Sequence, residues 1–237
     1  MARDTSHGLR PAPRPARRAA AIRPPDGSEA DRVAAVLARL EAADPDPKAG
    51  FDRTDPFRLL VTVLLSAQST GPTVSRVAEA LFARVRDPAG MLDLGEARIT
   101  EIIRPVGLGP SKARNIVKLS AALMSEFGGA VPRSAAEMRR LPGIGRKSAE
   151  VTANFAFHEP VIAVDTHVFR VSNRIPLASG ATVDAVADGL AQIVPDRFKD
   201  GAHVWLFRHG RDTCTARKPA CLRCPVSDLC LWPGKAT

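Results

Sequence analysis

The four cysteines of this 237-residue chain all fall between Cys214 and Cys230, spaced C-x6-C-x2-C-x5-C. Four thiolates so close in sequence can surround one metal centre: Cys214, Cys221, Cys224 and Cys230. Paired disulfides are disfavoured, because Met-Ala-Arg-Asp with no apolar stretch behind it is not a secretory leader, and a cytoplasmic location is expected. Zinc sites often use two C-x2-C pairs, and only one short pair occurs here, so the spacing leans slightly to a [4Fe–4S] cluster while leaving zinc open. The first interval carries Arg217 and Lys218, whose backbone ligation would fix, presenting both charges to a phosphate.

The rest of the chain reads as helix upon helix. Aromatics are 5% and tyrosine is absent, which tilts against a strand-rich fold. Val33, Val36, Leu37 and Leu40 repeat at helical spacing, as do Val74, Val77, Ala78, Leu81 and Phe82. Asp55-Pro56 is a helix start, and the apolar run 59–65 behind it predicts a buried helix. Pro110 opens another, carrying Ala113, Ile116, Val117, Leu119, Ala122 and Leu123. Ser134-Ala135-Ala136-Glu137 fits a capping box, and Val183, Val186, Leu190 and Ile193 give one more helix. No segment alternates with period two, and no apolar run approaches the length of a membrane span.

A net charge of +9 attracts polyanions, of which nucleic acid is the commonest large one. Residues 1–27 read as a basic, Pro/Ala/Arg-rich disordered arm, either tracking phosphates or merely solvated; an organelle transit peptide is a minor option.

Two turns stand out. Leu141-Pro142-Gly143-Ile144-Gly145-Arg146-Lys147 separates two helical patterns. Gly143 and Gly145 permit a tight turn and let backbone N–H groups approach a ligand. The helix that begins there adds unpaired amides and a positive dipole end, which together bind phosphate without sequence preference. The plain alternative is an ordinary helix–turn–helix connection. Val106-Gly107-Leu108-Gly109-Pro110-Ser111-Lys112 is a weaker echo, with Leu108 either a wedge for a base stack or a residue tucked into the core.

Lys147 falls in the first turn of the helix after the hairpin. The positive helix end and partial burial both disfavour an ammonium, and a neutral lysine amine is a nucleophile able to form a Schiff base. A surface lysine resting on phosphate is the plainer reading. Downstream, Val161-Ile162-Ala163-Val164 ends at Asp165, where a new helical pattern starts. Asp165 is either a helix N-cap or a held carboxylate that stabilises a cationic sugar. His167 reads as a local structural partner. Arg170 and Arg174, a turn apart, are either buried-pair or phosphate residues.

Leu64-Leu65-Ser66-Ala67-Gln68, the 141–147 hairpin, Val164-Asp165-Thr166-His167 and the four-cysteine signature together resemble the endonuclease III family of helix–hairpin–helix DNA glycosylases. The match covers roughly residues 51–230. The resemblance implies an all-α fold of two helical domains flanking a DNA-binding cleft: a six-helix domain over 49–159 with the hairpin, and a domain of 28–48 plus 160–237 whose four cysteines carry a [4Fe–4S] cluster. It implies a bifunctional enzyme of base-excision repair, removing oxidised pyrimidines such as thymine glycol and cleaving the abasic strand by β-elimination. Lys147 matches the catalytic lysine and Asp165 the catalytic aspartate. Gln68 and Leu108 match residues that fill the gap left by the extruded nucleotide. Gly143, Gly145, Arg146, Arg217 and Lys218 are the further DNA contacts expected. The partner is double-stranded DNA with damaged bases or abasic sites, met by a monomer at the nucleoid. The alternatives are a monofunctional glycosylase of the same superfamily, whose members generally lack a lysine at position 147, and a non-catalytic DNA-binding module. Gly71-Pro72, where many relatives carry an acidic residue, and Gly109, where an aromatic is common, depart from the pattern and bear on substrate range.

Overall fold

The computed structural model describes residues 28–236, so the arm expected over 1–27 lies outside it. Among the described residues there are ten α-helices, one 3-10 turn and no strand. None of these helices is long and apolar enough to cross a membrane.

α1 (Glu29–Ala43) opens with a full capping box between Ser28 and Asp31. α2 (Pro56–Ser66) starts where Asp55-Pro56 predicts, the Asp55 carboxylate accepting from Arg58 N at 3.0 Å. α3 (Gly71–Phe82) and α5 (Gly109–Phe127) each begin on a Gly-Pro step. α6 (Ala135–Met138) is a single turn capped by the Ser134 hydroxyl. α7 (Arg146–Phe157), α8 (Thr166–Arg174) and α9 (Val183–Ile193) lie where periodicity and the two motifs place helices. Periodicity pointed to neither α4 (Pro88–Ile103) nor α10 (Asp196–Asp212). Gly95 breaks α4 (φ 76°, ψ 159°), and α10 buries His203 and His209 amid charged residues, which blurs its apolar stripe.

Two hydrophobic clusters organise these helices. The first gathers Leu60, Leu65, Leu81, Met91, Ile103, Ile116 and Leu119 from α2 to α5, with Leu141, Ile144 and Ala149 from the hairpin and α7. The second joins Val36 and Leu37 of α1 to Val168, Val171, Leu190, Phe198, Leu206 and Val226, so the N-terminal helix packs with the C-terminal third. A smaller cluster lies across them: Leu59 and Val63 of α2, Val151 and Phe155 of α7, Ala163 and Val204 of α10. Polar ties reinforce the crossing. Buried Lys48, between α1 and α2, donates to Asn154 O (3.0 Å) and pairs with Asp200 (2.7 Å). Buried Arg32 donates to the carbonyls of Ile175, Pro176 and Leu229.

Leu60 is fully buried, and truncating it removes apolar contacts from a centre that α2 shares with its neighbours. Leu60→Ala should lower unfolding free energy by about 2–5 kcal/mol in denaturant melts. A loss under about 1 kcal/mol would mean that α2 is not close-packed.

Candidate active site

Leu141 and Ile144 are buried and pin the hairpin to the first core. Gly143 adopts φ 79°, and a Cβ there would stand 2.8 Å from Cβ of Asn115 on α5. Only glycine lets the turn lie this close to α5. Gly145 is the N-cap of α7, exposed and in extended conformation, and no side chain caps the helix. Its first amides therefore stay available to an anion. Arg146, expected beside them as a DNA contact, is already engaged. Its guanidinium bonds Glu150 (2.8 Å), Asp184 (3.1 Å) and Asp188 (2.7 Å), tying the hairpin to α9.

Lys147 follows, partly buried in the first turn of α7. Burial pushes its ammonium below the ordinary value of 10.5, while the charge of Asp165 pulls the other way without reversing the shift. Asp165 caps α8: its Oδ1 accepts from His167 N and Val168 N, both at 2.8 Å. Asp165 is thus the helix cap, and the same carboxylate is the charge that Lys147 senses. Their coupling acts through space and not through a hydrogen bond.

Sequence reasoning missed His203 on α10. Its Nδ1 lies 2.8 Å from Ala163 O, and a carbonyl can only accept, so Nδ1 carries the proton. The ring stacks against Phe207 and meets Phe155 edge-on. Burial, then the nearby charge of Lys147, lowers its pKa to about 4. His203 is therefore neutral near pH 7 and adds no positive charge beside the lysine. No signal marked it in a helix whose period was obscured.

Gln68 and Leu108 are both exposed and both adopt positive φ, 53° and 61°. At 58% exposure Leu108 is not tucked into the core. Their loops adjoin, since a Cβ on Gly107 would stand 3.1 Å from Gln68 O.

α8 connects Asp165 to the cysteines. Arg170 donates to Cys214 O (3.0 Å) and Gly210 O (2.6 Å), and Arg174 to Thr215 O (2.6 Å) and Ala216 O (2.7 Å). These arginines thus clamp backbone carbonyls, a role outside either sequence expectation. His167 packs edge-on against Phe207, 5.2 Å between centroids, and lies 3.2 Å from Arg170, a structural partner as expected. A Cβ on Gly210 would meet His167 Cβ and Val171 Cγ2 at 3.0 Å, so glycine lets α8 and α10 approach.

No disulfide joins the four cysteines, which line one pocket together with Arg174, His209 and Trp232. Four thiols facing one pocket supply the four ligands that a [4Fe–4S] cluster takes. Burial raises the pKa of Cys224 and Cys230, so a cationic centre is what would hold them as thiolates. Arg217 and Lys218 project from the same loop, exposed beside Thr215 and Ala216.

Comparison with known proteins agrees with both halves. The family model of the HhH-GPD superfamily base excision DNA repair protein matches residues 61–196, and that of the iron–sulfur binding domain of endonuclease III matches residues 214–230. Endonuclease III of Escherichia coli (strain K12) is 44% identical over 200 residues, covering 84% of this chain and 95% of the relative. Endonuclease III of Treponema pallidum (strain Nichols) is 46% identical over 198 residues, covering 84% and 94%. A trapped endonuclease III–DNA covalent intermediate superposes with a TM-score of 0.79 at 37% identity, over 85% of this chain and 95% of that one. A thermostable thymine-DNA glycosylase (TM-score 0.72, 24% identity, 85% and 94% covered) shares the fold. An iron–sulfur signature joined by α8 to a helix–hairpin–helix core, matched in sequence over most of its length, places this chain in the endonuclease III family of base-excision DNA repair proteins.

Proposed function

We propose that this protein removes a damaged base from double-stranded DNA and cleaves the abasic strand, with Lys147 as nucleophile and Asp165 as its electrostatic partner. The observation that carries this reading is a partly buried lysine held below its ordinary pKa near a carboxylate, at the start of an uncapped helix after a glycine hairpin. Oxidised pyrimidines such as thymine glycol are the substrates inferred. The protein is inferred to act as a monomer, and DNA as substrate supports work at the nucleoid in the cytoplasm.

The chemistry follows from the residues. A base inside a duplex is shielded, so the nucleotide must swing out. The open amides of Gly145 to Ser148 receive a phosphate. Gln68 and Leu108 fill the vacated space from exposed turns. The neutral amine of Lys147 then attacks C1′, the glycosidic bond breaks, and the base leaves with its electron pair and takes a proton. Asp165 offsets the positive charge that grows on the sugar. Sugar ring opening gives a Schiff base on Lys147 Nζ. Loss of a C2′ proton then expels the 3′ phosphate. When bound, the [4Fe–4S] cluster supplies iron–thiolate bonds that cross-link the cysteine loop. The loop presents Arg217 and Lys218 to the DNA backbone, and Arg170 and Arg174 fasten it to the helix that Asp165 caps.

Borohydride should trap a covalent complex on a thymine-glycol or abasic duplex. Lys147→Gln should lose the trap yet still bind DNA, and undiminished trapping would name another amine as nucleophile. Asp165→Asn should slow base release by about 100- to 1,000-fold, the scale for removing one electrostatic stabiliser. Normal excision by that variant would leave Asp165 a helix cap only.

The pH profile offers an independent check. The reactive form of Lys147 is the neutral one, so single-turnover trapping should rise with pH and level off through an inflection below 10.5. Because Asp165 favours the ammonium, Asp165→Asn should shift the inflection lower still. An inflection at or above the ordinary lysine value would remove the argument from burial.

A further inference from the structure

Lys112 is a buried cation that the chemistry above leaves without a task. It is 4% exposed and sits in the first turns of α5, where the positive helix end disfavours an ammonium. No carboxylate pairs with it among the described residues, and burial lowers its pKa. Its Nζ instead donates to Leu65 O (2.8 Å), Ala67 O (2.6 Å) and Ser69 Oγ (3.1 Å). These acceptors belong to the C-terminal end of α2 and the loop behind it, where a helix leaves carbonyls unpaired. α2 has no basic residue in its own last turn, so α5 supplies its cap.

The position of that cap is informative. Gln68 stands between two of the acceptors, Ala67 and Ser69. Leu108 stands four residues before Lys112, and its carbonyl accepts the Lys112 N–H at 3.0 Å. Both Gln68 and Leu108 hold left-handed backbone that an L-residue adopts at a cost, and such strain persists only where neighbours over-determine it. The two turns are in close contact at Gly107 and Gln68 O. Proline two or four residues beyond each of them, Pro110 and Pro72, fixes the start of the next helix.

We propose that Lys112 is a positioning residue that locks the Gln68 and Leu108 turns into one bracket and sets the spacing at which the two side chains enter the duplex. This rests on the glycosylase reading above, in which those side chains fill the gap. Removing the ammonium leaves the turns to move apart, and the nucleotide then returns to the stack.

The test compares two substrates. One is thymine glycol in a duplex, which must be extruded. The other is an abasic site in a single-stranded oligonucleotide, which has no pair to open. Lys112→Met should slow single-turnover excision from the duplex by about tenfold or more and leave single-strand cleavage within about twofold. In a Gln68→Ala/Leu108→Ala background the same change should add less than about twofold, because the parts it positions are gone. Ser69→Ala removes one acceptor of three and should give a smaller loss, about twofold to threefold, with the same substrate dependence. Equal losses on both substrates, a tenfold loss that persists without the two side chains, or unaltered duplex excision would each overturn the proposal. Failure of the wild-type protein to form a borohydride-trapped complex on any abasic DNA would instead overturn the glycosylase reading.

Discussion

A lysine amine attacks carbon only after losing its proton, and a carboxylate beside it favours keeping that proton. The site resolves this opposition by geometry. Asp165 spends Oδ1 on two amides at the start of α8, so its charge lies near Lys147 while that oxygen serves its own helix. Burial then outweighs the attraction, and the lysine stays below its ordinary pKa. The neutral His203 on the opposite element completes the arrangement without adding a charge. α7 and α8 each pack on α10, and this shared packing is what brings Lys147 near Asp165.

The basic character of the chain divides into two uses. Arg217 and Lys218 face solvent on the cysteine loop. Arg32, Lys48, Lys112, Arg170 and Arg174 point their charges at backbone carbonyls, most of them where a helix ends or a loop turns. A charged donor satisfies such carbonyls more strongly than a neutral one and ties together segments far apart in sequence. Net charge measured on the sequence therefore overstates the charge available to DNA. Arg146 illustrates this directly, with three carboxylates already on its guanidinium.

Much of the architecture was legible beforehand, for reasons that differ by element. α2 announced itself through Asp55-Pro56 and an apolar run, α5 through Pro110 and a long stripe, and α7 and α8 through the hairpin and the Asp165 cap. These are local signals, carried by residues close in sequence. α4 was hidden by the break at Gly95, and α10 by buried histidines and a tryptophan among charged residues. The site was legible in the same uneven way. Lys147 and Asp165 sit in distinctive motifs, whereas His203 and Lys112 gain meaning only from partners 40 or more residues away.

The sequence by itself determined an all-helical chain, a glycine hairpin leading into a lysine, an aspartate at a helix start and a closed set of four cysteine ligands. Each depends on spacing within a few residues, and spacing survives without a fold. The tertiary structure alone decided which charges were free and which were spent. It made Arg170 and Arg174, open between buried-pair and phosphate residues, into clamps on the cysteine loop, and it exposed Leu108 instead of burying it. Burial and long-range hydrogen bonding are properties of the packed chain, and no local pattern encodes what will stand opposite a given side chain once the helices close.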